Sequence, residues 1–243
     1  MARLTRLCVP GEVHFVVQRG HNRQPIFVDD TDRQQFLNAL REAAVEHRLQ
    51  VHAYALLDDR VEMLVTPAAA EGLSKGMQAV GRRYVAGFNR RHGRSGTLWE
   101  GRFRAAVIES KRYLVPAMLM IESAPVAAGL AAASDAWPWS SAGQHVGGRR
   151  DPLVVDHPAY WGLGNTPFDR EAGYRHLMES GVPQADMRAL ADASSKSWAL
   201  GSPAFLATLA ERTSRPLVMR RRGRPRKPMD MSPIKIDMTS NGE

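Results

Sequence analysis

Arg60 and Glu62 stand two residues apart in the run His52 to Pro67, HAYALLDDRVEMLVTP, which reads as two apolar strands joined by a tight turn at Asp58-Asp59. Strand side chains alternate between faces, so positions 60 and 62 project side by side. Two histidines at that spacing would share one divalent cation. An arginine and a glutamate give instead a fixed cation beside an anion that can pair with it, and a guanidinium, protonated at any relevant pH, repels a divalent ion. The chemistry open to Arg60 is contact with a phosphate or an ion pair with Glu62. His52 on the neighbouring strand adds a second ligand to Glu62 at most, a poor metal site beside an arginine. No metal or other cofactor is expected.

A second group of residues suits binding rather than bond breaking. Between positions 82 and 104 lie Arg82, Arg83, Arg90, Arg91, Arg94, Arg102 and Arg104, interleaved with Tyr84, Phe88, Trp99 and Phe103. Arginine with aromatics fits phosphate contact and base stacking on unpaired or hairpin DNA. The bland alternative is a solvated helix end with Trp99 and Phe103 in the core. A third group is the polycation from Arg215 to Lys227, with seven basic residues and no acidic one, which leaves about +1 of the net +8 for the rest of the chain. Within it Arg222-Gly223-Arg224-Pro225-Arg226 looks like an AT-hook, whose arginines would lie in an A·T-rich minor groove. A solubilising tail is the alternative. DNA, as hairpin or duplex, is the expected partner.

The elements that must position these groups follow from periodicity. Glu12 to Arg19 alternates as a strand; Thr31 can cap a helix to about Arg48 with Phe36, Leu37, Leu40, Ala44 and Val45 on one face. Strands follow near Gln50 to Leu57 and Arg60 to Thr66. A helix from about Glu71 to Arg91 has Leu73, Met77, Val80, Tyr84 and Phe88 at helical spacing; then come a strand, Arg102 to Glu109, and a helix from Ser110 through Ser123. The order strand, helix, strand, strand, helix, strand predicts an α+β fold: a ferredoxin-like, split βαβ antiparallel sheet with helices on one face. Helical patterns at Phe168 to Gly181 and Gln184 to about Arg212 form a C-terminal extension. After Pro216 the density of charge, Gly and Pro predicts a disordered basic tail. The expected division is 1–148 for the sheet domain, 149–214 for the extension and 215–243 for the tail.

The best membrane-span candidate, Ala117 to Ala133, is short and broken by Glu122 and Pro125. The N-terminus has no apolar core with a cleavage site, and the lone Cys8 fits a reducing compartment. The expected location is cytoplasmic, on the nucleoid.

Five segments together carry a family resemblance: RLCVPGEVHFVVQRGHNRQPIF, the 52–67 hairpin, GRRYVAGFNRRHGRSGTLWEGRFRAAVIES at 81–110, PWSS at 138–141, and LGS followed by GRPRK. The chain resembles the HUH, one-tyrosine single-strand transposases, within them the REP-associated tyrosine transposases. The resemblance implies a ferredoxin-like nuclease domain that binds folded single strands. It also implies paired histidines holding Mg²⁺ or Mn²⁺, a tyrosine that attacks phosphorus, and a polar ligand one helical turn later. Here the histidine pair falls on Arg60 and Glu62, the nucleophile on Met120, and the helper ligand on Ala124. A thioether cannot form the phosphotyrosine-type ester, and alanine has no donor atom. The joint loss predicts a DNA-binding protein without cleavage, a regulator or a binder of palindromic or A·T-rich DNA. The alternative is an active transposase or nicking enzyme with a rearranged site, using Tyr113 or Tyr84; a third is a decaying remnant, against which the mutually consistent caps and core spacing argue.

Overall fold

A computed structural model of the protein describes residues 6–218. Four strands, β1 (Val13–Arg19), β2 (Leu49–Leu57), β3 (Arg60–Pro67) and β4 (Arg104–Ile108), form one antiparallel sheet in the order β2-β3-β1-β4. The order is that of a split βαβ unit. Helices α1 (Asp30–Glu46) and α2 (Gly72–Arg91) make its two crossovers and lie on one face. Their inner residues, among them Phe36, Leu40, Val80 and Tyr84, pack on Val16, Val51, Met63 and Val65 of the sheet.

The opposite face is covered as well. There α3 (Ser110–Ala127) packs Leu114, Ala117, Met118 and Ile121 on Phe15, Ala53, Ala55 and Leu64. The extension adds to this layer. After the short helices α4 (Ala142–His145) and α5 (Pro158–Trp161) come α6 (Pro167–Ser180), α7 (Gln184–Lys196) and α8 (Pro203–Glu211). Tyr174 of α6 and Leu190 of α7 join the second core. The strands are therefore buried on both faces, and so β1 and β3 are buried along almost their whole length where a one-sided sheet would alternate.

Both sheet edges are occupied. Along β2, Leu56 N–H donates to Trp139 O at 2.9 Å, Ser141 N–H to Tyr54 O at 2.9 Å, and Val155 N–H to Val51 O at 2.8 Å. Along β4, Leu200 N–H donates to Val107 O and Glu109 N–H to Leu200 O, both at 2.8 Å. Unpaired strand edges invite association, and here the chain's own later segments satisfy them.

Several local expectations are corrected. The cap of α1 is Asp29, whose side chain accepts from Asp32 N–H at 3.0 Å, and Val45 faces solvent at 83% exposure. Arg91 of α2 pairs with Asp29 and Asp32, which holds the start of α1 two residues earlier than Thr31. Helix α3 continues past Ser123 and through Pro125 to Ala127, because Ile121 and Ala124 remain packed on the sheet side. Pro216 does not end the ordered chain, since Ala199 N–H donates to Leu217 O and Leu217 is buried.

Gly20, at the exit of β1, is required by close approach. A Cβ there would overlap the Gln24 carbonyl oxygen and lie 2.8 Å from Ile26 Cγ2. Gly20→Ala is expected to cost about 1–3 kcal/mol, the range for overpacking, read as a lowered urea midpoint at unchanged slope; an unshifted midpoint would contradict this contact.

Candidate nucleic-acid interface

Arg60 opens β3 directly after the Asp58-Asp59 turn, and Glu62 follows on the same face, opposite Val17 of β1 and Ala55 of β2. Arg60 Nε donates to Glu62 Oε1 at 2.7 Å and Nη1 to Asp59 Oδ1 at 3.0 Å. Burial by itself lowers the affinity of this guanidinium for its proton, but the hydrogen bond and charge of Glu62, with those of Asp59, outweigh it and hold its pKa above the ordinary value. Both members of the pair are thus satisfied by each other. Glu62 and Met120 of α3 line one small cleft of about 90 Å³, together with Arg19 and Arg104. Its far wall is α7, through Ala191, Ser194 and Ser195, and Arg104 Nη1 donates to Ser195 O at 3.2 Å. Ala124 lies buried one turn beyond Met120.

His52 does not join Glu62. It occupies a β-bulge between Val51 and Ala53, where Nδ1 donates to Val155 O at 2.6 Å and Nε2 meets Thr66 Oγ1 at 2.9 Å. Among the described residues no three His, Cys, Asp or Glu side chains converge. The two tyrosines weighed as substitute nucleophiles are both buried. The Tyr84 hydroxyl donates to Ile26 O inside a cluster of Phe27, Phe36 and Phe88, and burial pushes its pKa upward. Tyr113 packs in the second core under Arg112.

The seven arginines from 82 to 104 divide by what they already touch. Arg83 pairs with Glu42 and Glu46, and Arg91 with Asp29 and Asp32. The Arg91 hydrogen bond holds the Asp29 carboxyl down to about 2. These two pin α2 to α1. Arg94 lies over Phe88 and reaches Gln24 at 3.4 Å. Arg82, Arg90 and Arg102 are exposed and have no carboxylate partner among the described residues. Arg82 and Arg102 face each other across an open groove of about 910 Å³, floored by Val85, Trp99 and Phe103 and joined by Lys75 and Arg6. Trp99 stacks on Tyr84 at 6.1 Å and is partly buried, while Phe103 is core, so the aromatics are supports first and stacking surfaces second.

Arg6, Gln18, Arg102 and Phe103 also line an adjoining cleft of about 240 Å³ with Arg19, Arg104 and Arg215. Arg19 and Arg104 in turn border the Glu62–Met120 cleft. A basic trench therefore runs from α2 past the β4 end of the sheet to the small cleft under α7. Arg6, Arg19 and Lys75 were not singled out from sequence; no spacing pattern joins an N-terminal loop, a strand and a helix start. Arg222, Arg224 and Arg226 lie outside the described residues.

Behind the small cleft, Glu122 is fully buried on α3. Its Oε1 accepts from the Ser141 hydroxyl and lies 2.7 Å from His145 Nδ1, and its Oε2 accepts from the Tyr174 hydroxyl at 2.7 Å. Burial, then the charge of Glu122, pushes the Tyr174 phenol well above its ordinary value, so it remains a donor. Tyr160 caps the cluster by donating to His145 O at 2.9 Å. From the sequence Glu122 reads as a polar residue in a helix pattern; it is the junction between α3, the PWSS segment, α4 and α6.

The fold is shared with a solved transposase. The chain is similar to a REP-associated tyrosine transposase solved bound to a REP hairpin, at TM-score 0.52 and 19% identity, over 65% of this chain and 96% of that one. A protein of Deinococcus radiodurans R1, described as a candidate transposase, aligns at TM-score 0.34 and 20% identity over 47% of this chain and 89% of that one. Residues 10–115 match the family model described as Transposase IS200 like. No curated protein matches the chain significantly. No described helix is long and apolar enough to cross a membrane.

Proposed function

We propose that the protein is a DNA-binding descendant of the REP-associated tyrosine transposases that holds hairpin or palindromic DNA without cutting it. The observation that carries this reading is Glu62, held by Arg60, beside Met120 in a cleft walled by α7. At the positions where the family resemblance implies metal ligands and a nucleophile, the side chains present do not fit a divalent cation: one carboxylate is neutralised by a guanidinium at 2.7 Å and the facing group is a thioether. Side chains that do not suit a divalent cation, and a thioether in place of a nucleophile, leave these positions without a route to a covalent intermediate.

Binding is supported by the basic trench. Phosphates of a folded strand lie against Arg82, Arg102 and Arg90, with Arg94 and Arg104 at the margins, and the exposed parts of Trp99 offer a stacking face. Residues 1–148 act as the DNA-binding domain and 149–214 as an extension that closes its old reaction cleft. The AT-hook-like arginines Arg222, Arg224 and Arg226 add minor-groove affinity for A·T-rich flanks. Such a protein serves as a regulator at repeats or promoters on the nucleoid.

Electrophoretic shifts with hairpin, single-stranded and duplex DNA test the proposal. Equal retardation in EDTA and in Mg²⁺ or Mn²⁺, with no strand break and no protein–DNA adduct, is expected. Arg82→Gln and Arg102→Gln should each weaken binding and lower the slope of log K against log salt by about 0.7–0.9. A nick or adduct in Mn²⁺ overturns the non-cleaving reading, and failure to retard any DNA overturns binding altogether.

A further inference from the structure

The 240 Å³ cleft contains an electrostatic arrangement that the transposase-like reading does not explain. Arg6 precedes the sheet, Arg102 comes from the loop before β4, and Arg215 comes from the segment after α8; all three line the cleft, and Glu100 is its carboxylate. Arg6 Nε, Arg215 Nε and Arg215 Nη1 are buried and have no hydrogen-bond partner among the described residues. A buried guanidinium N–H without an acceptor is costly, and several cations gathered at one cleft add to the cost. Burial lowers the proton affinity of both Arg6 and Arg215, and Arg102 lowers that of Arg6 further. Among the described residues no carboxylate pairs with Arg6 or Arg215.

The guanidiniums are nonetheless held in place. Arg6 stacks on Phe103 at 4.0 Å, and Arg215 lies over Trp198 at 5.6 Å while donating Nη2 to Ser197 O at 2.8 Å. Stacked, oriented guanidiniums with unused N–H groups match the planar fork that recognises an oxyanion in two-point contact.

We propose that this cleft is a phosphate-binding site, formed only when the N-terminal and C-terminal segments of the chain meet. Its ligand is a phosphate oxyanion, either a backbone phosphate of nucleic acid or a free phosphate anion. The nucleic-acid source rests on the DNA-binding reading above; the site itself does not. Occupancy satisfies the orphaned N–H groups and fastens the segment around Arg215 to the sheet domain, so that ligand binding and docking of the C-terminal end are one event.

Thermal unfolding of the full chain in inorganic phosphate or pyrophosphate, against NaCl of equal ionic strength, provides the test. A rise in Tm specific to the phosphates is expected. Arg6→Gln and Arg215→Gln should each raise the apparent pyrophosphate Kd by about tenfold or more, the loss expected for a charge-assisted bond. Arg188→Gln, an exposed change on α7 that lowers net charge equally, should leave it unaltered. Should either cleft variant fail to fold, Arg102→Gln, at an exposed position, reads the same cleft. Competition of a short oligothymidine with pyrophosphate identifies the backbone as the source; pyrophosphate binding without competition identifies the free anion. Equal stabilisation by NaCl and phosphates, or variants no different from Arg188→Gln, overturns the site. Phosphate binding without any DNA shift would leave the site standing and sink only the DNA-binding reading.

Discussion

Glu122→Ala lowers the unfolding free energy by about 3–5 kcal/mol, the cost of removing one partner from a buried charged network. Its carboxylate is surrounded by three donors, the Ser141 hydroxyl, His145 and the Tyr174 hydroxyl, and all four residues are fully buried. Removing it orphans His145 Nδ1 and the Tyr174 hydroxyl, leaves the Ser141 hydroxyl only Tyr54 O as an acceptor, and opens a void between α3, α4 and α6. Glu122→Gln keeps the shape and an acceptor oxygen but places an NH₂ against one donor, so a smaller loss of about 1–3 kcal/mol is expected. Urea denaturation of the two variants measures both. An alanine variant within 1 kcal/mol of the parent would mean the network is slack, a result at odds with the packing. The functional consequence is spatial. Glu122 sits between Met120 and Ala124 on α3 and ties that helix to α6, which precedes α7 over the small cleft. Loosening it should uncover the cleft before it unfolds the sheet, detectable as faster hydrogen exchange in α6 and α7 than in β1 and β3.

Acid should unfold the protein well before its carboxylates titrate. His14 and His52 are buried, and desolvation, only partly offset by their hydrogen bonds to backbone carbonyls, lowers each pKa from 6.5 to about 4. For His14 the geometry makes the reason concrete: Nδ1 donates to Glu12 O at 2.8 Å, so Nε2 must accept from Val9 N–H at 3.2 Å. A proton on Nε2 would face another N–H. In the unfolded chain both rings take a proton near pH 6.5, whereas in the folded chain they resist it until about pH 4. The unfolded state therefore binds more protons in this window, and stability rises with pH there. The contribution is fully present above pH 6.5 and is lost as pH falls toward 4, by about 3 kcal/mol for each histidine. Urea midpoints at pH 7 and pH 4.5 should differ steeply, and imidazole NMR signals of His14 and His52 should stay in the neutral form at pH 5.5. A flat midpoint between pH 7 and 5, or titration of either ring near 6.5, would contradict the burial.

Much of the sheet domain was legible because its signals are local. The hairpin at Asp58-Asp59, the helix from 72 to 91 and the strand order follow from alternation and 3.6-residue spacing, which a chain displays whether or not it is folded. What periodicity missed were residues whose roles come from distant partners. Val45 looked apolar-facing, but one step of about 100° past Ala44 turns it away from the buried stripe of Phe36, Leu37, Leu40 and Ala44 and into solvent. His52 looked like a free ligand beside Glu62, but Val155, about a hundred residues away, and Thr66 on the paired strand claim its two nitrogens. Arg83 and Arg91 looked equivalent to Arg82 and Arg102, and only the placement of α1 separates ion-paired structural cations from exposed ones.

The chemistry at positions 60, 62, 120 and 124 was determined by the sequence alone, since no fold can give a methionine a nucleophilic oxygen or an alanine a donor atom. Side-chain identity is a covalent fact. Proximity is not, and the tertiary structure alone decided that Glu62 and Met120 share a cleft closed by α7 and that Arg6, Arg102 and Arg215 converge from three separate parts of the chain. Such contacts join residues up to two hundred positions apart, where no repeat or spacing carries information. They exist because burying Leu7, Val9, Leu209 and Leu217 against Val107 of β4 brings the segments around Arg6 and Arg215 to the same strand edge.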